Sequence, residues 1–140
     1  MTRLLLSLIY VLCTGAAFAD DSRIAARDGW IREAPPSAPV RAGYLSLHNG
    51  GDADVTITGA RSDSFGAIEI HEMVPTGDGT MRMRPVPALS LPAGAKVALE
   101  PGGLHLMLFR PTRALARGER VPLVLILADG REIPTELEQR

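Results

Sequence analysis

The sequence is poor in several residue types, and each shortage narrows the range of functions. It contains one cysteine, Cys13, and a single lysine among its 15 basic residues. Aromatic residues make up 4% of the chain, and the arginines are scattered rather than gathered into a block of the kind that binds nucleic acid. Long stretches with the 3.6-residue periodicity of a helix are also missing. We therefore expect neither a nucleic-acid-binding protein nor a helical one.

The first nineteen residues have the pattern of a secretory signal peptide. Arg3 gives a short positive region, an apolar run covers residues 4–12, and small residues at Ala17 and Ala19 match a cleavage site. The apolar run is too short to span a membrane. Leu12 is bulkier than the small residue that precedes a lipidated cysteine, so a lipoprotein is not expected. The pattern predicts export to the periplasm and cleavage after Ala19.

Cleavage at this position would leave residues 20–140, which is enough chain for one domain with its own hydrophobic core. It would also remove Cys13, so the mature chain would have no disulfide, no cysteine nucleophile and no thiolate ligand. The loss of Arg3 would change the formal net charge from −1 to −2. The domain must then fold by hydrophobic burial alone.

The mature chain is typical of short strands separated by turns. The 14 glycines and 11 prolines recur at close intervals between apolar runs. Asp129-Gly130 lies between two such runs and predicts a hairpin with a two-residue turn. The pattern favours an all-β domain, an antiparallel sandwich or barrel. The nine predicted strands cover about residues 26–33, 40–49, 54–61, 66–73, 80–86, 95–100, 103–110, 120–128 and 131–137.

Methionine and histidine, in contrast, are concentrated in one short window. Apart from Met1, every methionine lies between His71 and Met107, together with two of the three histidines. Thioether sulfur and neutral imidazole nitrogen are soft donors that suit Cu(I) better than magnesium, calcium or manganese. The window therefore predicts a copper site. The third histidine, His48, is expected at a turn with no special role.

Alternation along the predicted strands places these donors on shared faces. Successive side chains of a strand point to opposite faces, so His105 and Met107 should lie together, away from the three leucines of residues 104–108. His71 and Met73 should share a face with Glu69, whose charge disfavours deep burial.

A third strand repeats the arrangement. Met81 and Met83 alternate with arginines, so their sulfur atoms should point to the same side. Three strands therefore each offer a pair of soft donors on one face.

The spacing of four of these residues resembles that of the periplasmic copper chaperones of the PCu(A)C family. Eleven residues separate His71 from Met83, twenty-one separate Met83 from His105, and one separates His105 from Met107. Glu72 follows His71, where some members of the family have methionine. Weaker similarity extends over most of the mature chain, in residues 30–33, 42–50, 70–73, 83–86, 101–108 and 118–123.

The resemblance implies a cupredoxin-like β-sandwich that holds one Cu(I) near its surface, with His71, Met83, His105 and Met107 as ligands. It also implies that the protein delivers copper to the binuclear CuA centre of cytochrome c oxidase or to related acceptors. A thiol-bearing assembly factor is a further expected partner, and the chain is expected to be a monomer. Some relatives carry a His/Met-rich C-terminal extension associated with Cu(II). Residues 135–140 contain no histidine or methionine, so a second copper site is not expected.

Other interpretations use the same residues differently. A blue-copper electron carrier needs a cysteine ligand, which the mature chain would lack. A zinc hydrolase would combine His71 and His105 with a carboxylate such as Glu72, but methionine is not a usual zinc ligand and no zinc-protease motif occurs. We therefore expect no enzymatic activity. Two alternatives stay open: a copper buffering or resistance protein with the same ligands, and a metal-free exported β-sandwich interaction module. Met73 and Met81 are expected around the site or at its entry, and a role as spare ligands that make release stepwise stays open as well.

Overall fold

The computed structural model describes residues 23–140, and within them it contains ten β-strands and no helix. The predicted signal peptide (residues 1–19), its cleavage site and Cys13 lie outside the described residues. None of the described segments is a helix that could span a membrane. The expected all-β class is confirmed. The strands are β1 (Ile24–Ile31), β2 (Val40–Asn49), β3 (Val55–Arg61), β4 (Phe65–Pro75), β5 (Met81–Pro85), β6 (Leu89–Leu91), β7 (Lys96–Leu99), β8 (His105–Pro111), β9 (Arg120–Leu127) and β10 (Glu132–Gln139).

Seven of these strands close into a barrel in the order β3-β4-β8-β2-β1-β10-β9, and the pairing of Ala60 with Ile68 joins β3 to β4 and closes the ring. The three remaining strands are short and extend single barrel strands: β5 pairs with β4, β6 with β3 and β7 with β2. Closure satisfies the backbone hydrogen bonds that an open sheet would leave at its edges. One pair, β1 with β10, is parallel, so the antiparallel barrel predicted from the sequence holds for every other pairing in the described residues.

The core fills the inside of this barrel because alternate residues of each strand point inward. In β9 the inward residues are Val121, Leu123, Leu125 and Leu127, and each is at most 2% exposed. Leu106 and Leu108 of β8 are fully buried, and Leu104 packs against the same core. The predicted leucine face of β8 is therefore the core face.

Three local expectations differ from the structure. Strand β6 was not among the nine predicted strands, because it has only three residues and prolines flank it at positions 87 and 92. The β9–β10 hairpin is present, but residues 128–131 link the strands, with Gly130 at φ 88° and the Leu127 N–H donating to the Arg131 carbonyl. The αL conformation of Gly130 suits this longer turn. His48 lies inside β2, opposite Ala25, rather than at a turn.

One feature of the barrel bears directly on the methionine and histidine window. Strand β4 has eleven residues. On one side its first half pairs with β3, at Ile68, and its second half, from His71 to Pro75, pairs on that same side with β5. The β4–β5 hairpin therefore continues past the barrel wall next to the start of β8.

Candidate metal centre

The register of β4 against its two neighbours brings the soft donors together on the outer face of the barrel. His71 lies directly opposite His105 in β8, and Met73 lies directly opposite Met83 in β5. Residues directly opposite each other in an antiparallel pair point to the same face. The predicted sharing of one face, inferred separately for each strand, is thus confirmed and extends across all three strands.

His105 and Met83 are in direct contact. The Nε2 atom of His105 lies 3.3 Å from the Sδ atom of Met83. His105 is only 6% exposed, whereas Met83 is 51% exposed. A buried imidazole therefore meets a solvent-exposed methionine. Strand alternation alone put His105 outside the leucine core but did not predict its burial, which results from neighbours on β4 and β5.

A hydrogen bond at the Nδ1 atom of His105 determines which ring nitrogen can bind a metal. This atom lies 3.0 Å from the carbonyl oxygen of Gly103, and a carbonyl only accepts hydrogen bonds. Nδ1 must therefore carry the proton, so Nε2 of the neutral ring presents a lone pair towards Met83. The 3.3 Å between these two atoms places both donors close enough to contact one ion.

His71 lies beside this pair. Its ring centroid is 6.1 Å from that of His105, with 50° between the ring planes. Its Nε2 atom is 2.8 Å from Oε2 of Glu69, two residues earlier on the same face of β4. Its Nδ1 atom is buried and, within residues 23–140, has no hydrogen-bond partner. An unpartnered buried nitrogen is uncommon in a folded protein, so this atom is free to serve as a ligand.

The other three methionines of the described residues occupy different positions around the histidines. Met107 follows His105 on the same face, is partly buried, and lies opposite Glu69 across the β4–β8 pair. Met73 is partly buried opposite Met83. Met81 lies at the start of β5, opposite Pro75, and is 51% exposed. The structure thus brings Met83, His105 and His71 together, with Met107 at the next position along β8.

The carboxylate next to the histidines is not the one that the zinc alternative requires. Glu72 alternates with His71 along β4, so it points to the opposite face, where it forms an ion pair with Arg84. Glu69 contacts His71 instead. Strand alternation predicted the face of Glu69 but no role for it, although its position two residues before His71 on the same face was a usable signal. In residues 23–140, no three His, Cys, Asp or Glu side chains converge as a metal site. The thioether sulfur on this face is not a usual zinc ligand.

The tip of the β4–β5 hairpin is ordered by its own side chains. The Asp78 carboxylate accepts hydrogen bonds from the Thr76 hydroxyl at 2.5 Å and from the Thr80 hydroxyl at 2.7 Å, and also from the Thr80 N–H at 3.0 Å. These hydrogen bonds, of which the one from Thr76 has the largest effect, hold the pKa of Asp78 well below its usual range. Since β5 begins one residue after Thr80, this network helps to place the strand that carries Met83.

Fold and site together define a class of small β-barrel domains with an outward-facing cluster of soft donors. The solved PCuAC domains have this fold. The copper-bound PCuAC domain of PmoF2 superposes with a TM-score of 0.70 at 19% identity, covering 84% of this chain and 92% of that domain. Cu(I)-bound DR1885 of Deinococcus radiodurans gives a TM-score of 0.65 at 27% identity, covering 91% of this chain and 83% of that one.

The sequence comparisons identify the family. Residues 24–138 match the family described as "Putative lipoprotein LpqE-like", and the chain belongs to this LpqE-like family. A relative from Leifsonia xyli subsp. xyli, "Putative lipoprotein Lxx21020", is 26% identical over 105 residues. The match covers 75% of this chain but only 62% of that protein, so the chain spans less than two thirds of this relative. The resemblance to PCu(A)C proteins inferred from the sequence is confirmed at the level of family and fold.

Proposed function

We propose that this protein is an exported copper chaperone that binds one Cu(I) through His71, Met83, His105 and Met107. The observation that carries the proposal is the 3.3 Å contact between a buried imidazole nitrogen and an exposed thioether sulfur, with a second histidine beside them. Two imidazoles with two thioethers form a neutral, soft ligand set that suits Cu(I). Met73 and Met81 lie around these ligands and would not be required for binding.

The relatives support copper as the metal. The solved structure of DR1885 holds Cu(I), and that protein is 27% identical to this chain. The proposal includes no enzymatic activity for this chain. The proposed ligands are the residues of this chain that match the spacing of the PCu(A)C family.

Thioether ligands suit a protein that must release its metal. Thiolates bind Cu(I) tightly, and the thiol must lose a proton before it can bind. A thioether has no proton to lose and no charge, so it binds more weakly. Copper would therefore pass downhill to an acceptor with cysteine ligands, such as the CuA centre of cytochrome c oxidase or a thiol-bearing assembly factor. A site without thiols also resists oxidation to disulfides in the periplasm.

Export is part of the proposal, and the processing of the N-terminus tests it. The family and the Leifsonia relative both carry "lipoprotein" in their descriptions, whereas Leu12 before Cys13 argues against lipidation here. We expect mass spectrometry of the protein recovered from periplasm to show a chain that begins at Asp20. A chain that begins at an acylated Cys13 would instead show membrane anchoring.

Anaerobic titration of residues 20–140 with Cu(I), against a chromophoric Cu(I) chelator, tests the site. We expect one equivalent to be withheld from the chelator, and the His105→Ala/Met107→Ala double variant to lose this ability. Because His105 is buried, circular dichroism must show that the variant is folded, and Met83→Ala provides a second test at an exposed position. If the unmodified protein withholds no copper, the proposed function is wrong and the metal-free interaction module remains.

Delivery is tested separately from binding. Loaded protein is mixed with a reduced soluble CuA domain, and copper in each protein is measured after separation. We expect copper to move to the CuA domain. Tight binding without transfer would favour the copper buffering or resistance protein, which would use the same ligands.

A further inference from the structure

We infer that Glu69 is a positioning residue that sets the tautomer of His71, so that copper binds His71 through Nδ1 and His105 through Nε2. The two histidines would then present opposite ring nitrogens to one ion. The inference rests on the proposed function for the metal itself, and it adds the nitrogen that each ring uses and the group that selects it.

The contact between Glu69 and His71 determines where the proton of the His71 ring lies. The Oε2 atom of Glu69 is 2.8 Å from Nε2. An ionised carboxylate only accepts hydrogen bonds, so Nε2 is the donor and Nδ1 of the neutral ring has the lone pair. The His71 side chain is 13% exposed and that of Glu69 is 54% exposed. The carboxylate therefore holds the histidine from its solvent side.

The burial of the other nitrogen points to the same assignment. Nδ1 of His71 is buried and, among the described residues, has no hydrogen-bond partner. A buried lone pair that meets no donor costs free energy. A metal ion on this atom would remove that cost, whereas a metal ion on Nε2 would have to displace the bond from Glu69.

His105 shows the same arrangement with the nitrogens exchanged. Its Nδ1–H donates to the Gly103 carbonyl at 3.0 Å, and its Nε2 faces the Met83 sulfur at 3.3 Å. Histidines that bind metals almost always donate the other N–H to a carboxylate or a backbone carbonyl. This chain has one of each. Register explains the pairing, because His71 and His105 lie directly opposite each other.

Glu69 also brings a negative charge to a ligand set that has none. The four proposed ligands are neutral, so the bound ion would carry its positive charge into a partly buried position. A carboxylate that is hydrogen-bonded to a ligand histidine stabilises that charge and makes the imidazole a stronger electron-pair donor to the metal. Glu69→Gln keeps the size of the side chain but removes the charge. Since an amide both donates and accepts, it no longer dictates which nitrogen of His71 holds the proton.

Nitrogen-15 NMR of the histidine rings tests the assignment directly, because Cu(I) is diamagnetic and protonated, lone-pair and metal-bound nitrogens have different shifts. In the copper-free protein we expect a proton on Nε2 of His71 and on Nδ1 of His105. On addition of one equivalent of Cu(I), the nitrogens that shift should be Nδ1 of His71 and Nε2 of His105. This measurement uses the unmodified protein, so it does not depend on a variant that loses copper binding.

The Glu69→Gln variant tests the role of the carboxylate. We expect its Cu(I) affinity to fall by about 10- to 100-fold and its His71 ring to show both tautomers. Glu132→Gln is the matched control, because Glu132 is similarly exposed and makes a similar 2.7 Å bond, to Arg61, on strands that do not carry the donors. The control should match the unmodified protein in affinity and tautomers.

The outcomes separate this inference from the proposed function. Copper binding through Nε2 of His71 would overturn the inference and leave the chaperone proposal intact. A Glu69→Gln variant with the original His71 tautomer would also overturn it, because the carboxylate would then act by charge alone. Failure of the unmodified protein to bind Cu(I) would remove the proposed function, and the inference with it.

Discussion

Strand β9 in the barrel and strand β5, which extends β4 outside it, contrast in burial. In β9 every second residue is almost fully buried, and the strand pairs with β10 on one side and β3 on the other. In β5 all five residues are exposed, and within residues 23–140 the strand pairs with β4 alone. Burial of apolar side chains is the main favourable term in folding, so β9 contributes to stability and β5 contributes little. Chemistry placed on β5 can therefore change at low cost to the fold.

The largest expected effect is on the β9 side of this comparison. Leu125→Ala removes a core side chain that is 1% exposed, and such changes reduce the free energy of unfolding by about 2–5 kcal/mol. Urea denaturation measures the loss. Cu(I) affinity, determined under conditions where the variant is folded, should not change. Weaker copper binding by the folded variant would show that packing of β9 in the barrel affects the metal site on the β4–β5 hairpin.

Met83→Ala should have the reverse effect. Its side chain is half exposed, so the free energy of unfolding should change by less than about 0.5 kcal/mol. Cu(I) affinity should fall by more than about tenfold, since even residues that only support metal ligands have effects of that size. The matched control is Met81→Ala, on the same strand and equally exposed at 51%, but opposite Pro75 rather than Met73. Equal loss of affinity in both variants would contradict the distinction between them.

Chemical protection should distinguish the same two methionines without mutation. In the metal-free protein, dilute peroxide should convert both exposed thioethers to sulfoxides at similar rates. Ag(I), a soft monovalent ion that does not cycle with peroxide, takes the place of Cu(I) in this experiment. Bound Ag(I) should slow oxidation of Met83 several-fold and leave Met81 unchanged, as measured by peptide mass spectrometry. Protection of Met81 alone would place the ion at the hairpin tip.

The smallest effect should occur at the hairpin tip itself. Because the hydrogen bonds from Thr76 and Thr80 lower the pKa of Asp78 from its ordinary 3.8, the ionised carboxylate stabilises the folded tip at neutral pH. That contribution is present above the ordinary value and decreases as the pH falls below it towards the lowered pKa. Amide hydrogen exchange at Thr80 should therefore be slower in the unmodified protein than in Asp78→Asn at neutral pH, with the difference shrinking in strong acid. A difference independent of pH would mean that the side-chain shape matters rather than the charge.

Local patterns in the sequence were enough to predict much of the barrel. Alternation in residues 104–108 separated the buried leucines from His105 and Met107, because successive side chains of any strand point in opposite directions. The short β6 was missed because three residues between prolines hold too little pattern. The parallel pairing of Trp30 with Glu138 could not be predicted either, because it joins strands that are more than one hundred residues apart.

The sequence by itself determined the kinds of donor that this protein can offer a metal and the strand face on which each donor lies. Both follow from side-chain chemistry and from alternation within a single strand. Only the tertiary structure decided that His71 lies opposite His105, that Met83 touches the buried His105 ring, and that Glu69 rather than Glu72 is the carboxylate bound to His71. The physical reason is register: it is set by hydrogen bonds and packing between strands, and a shift of one residue would turn every donor of a strand to the other face.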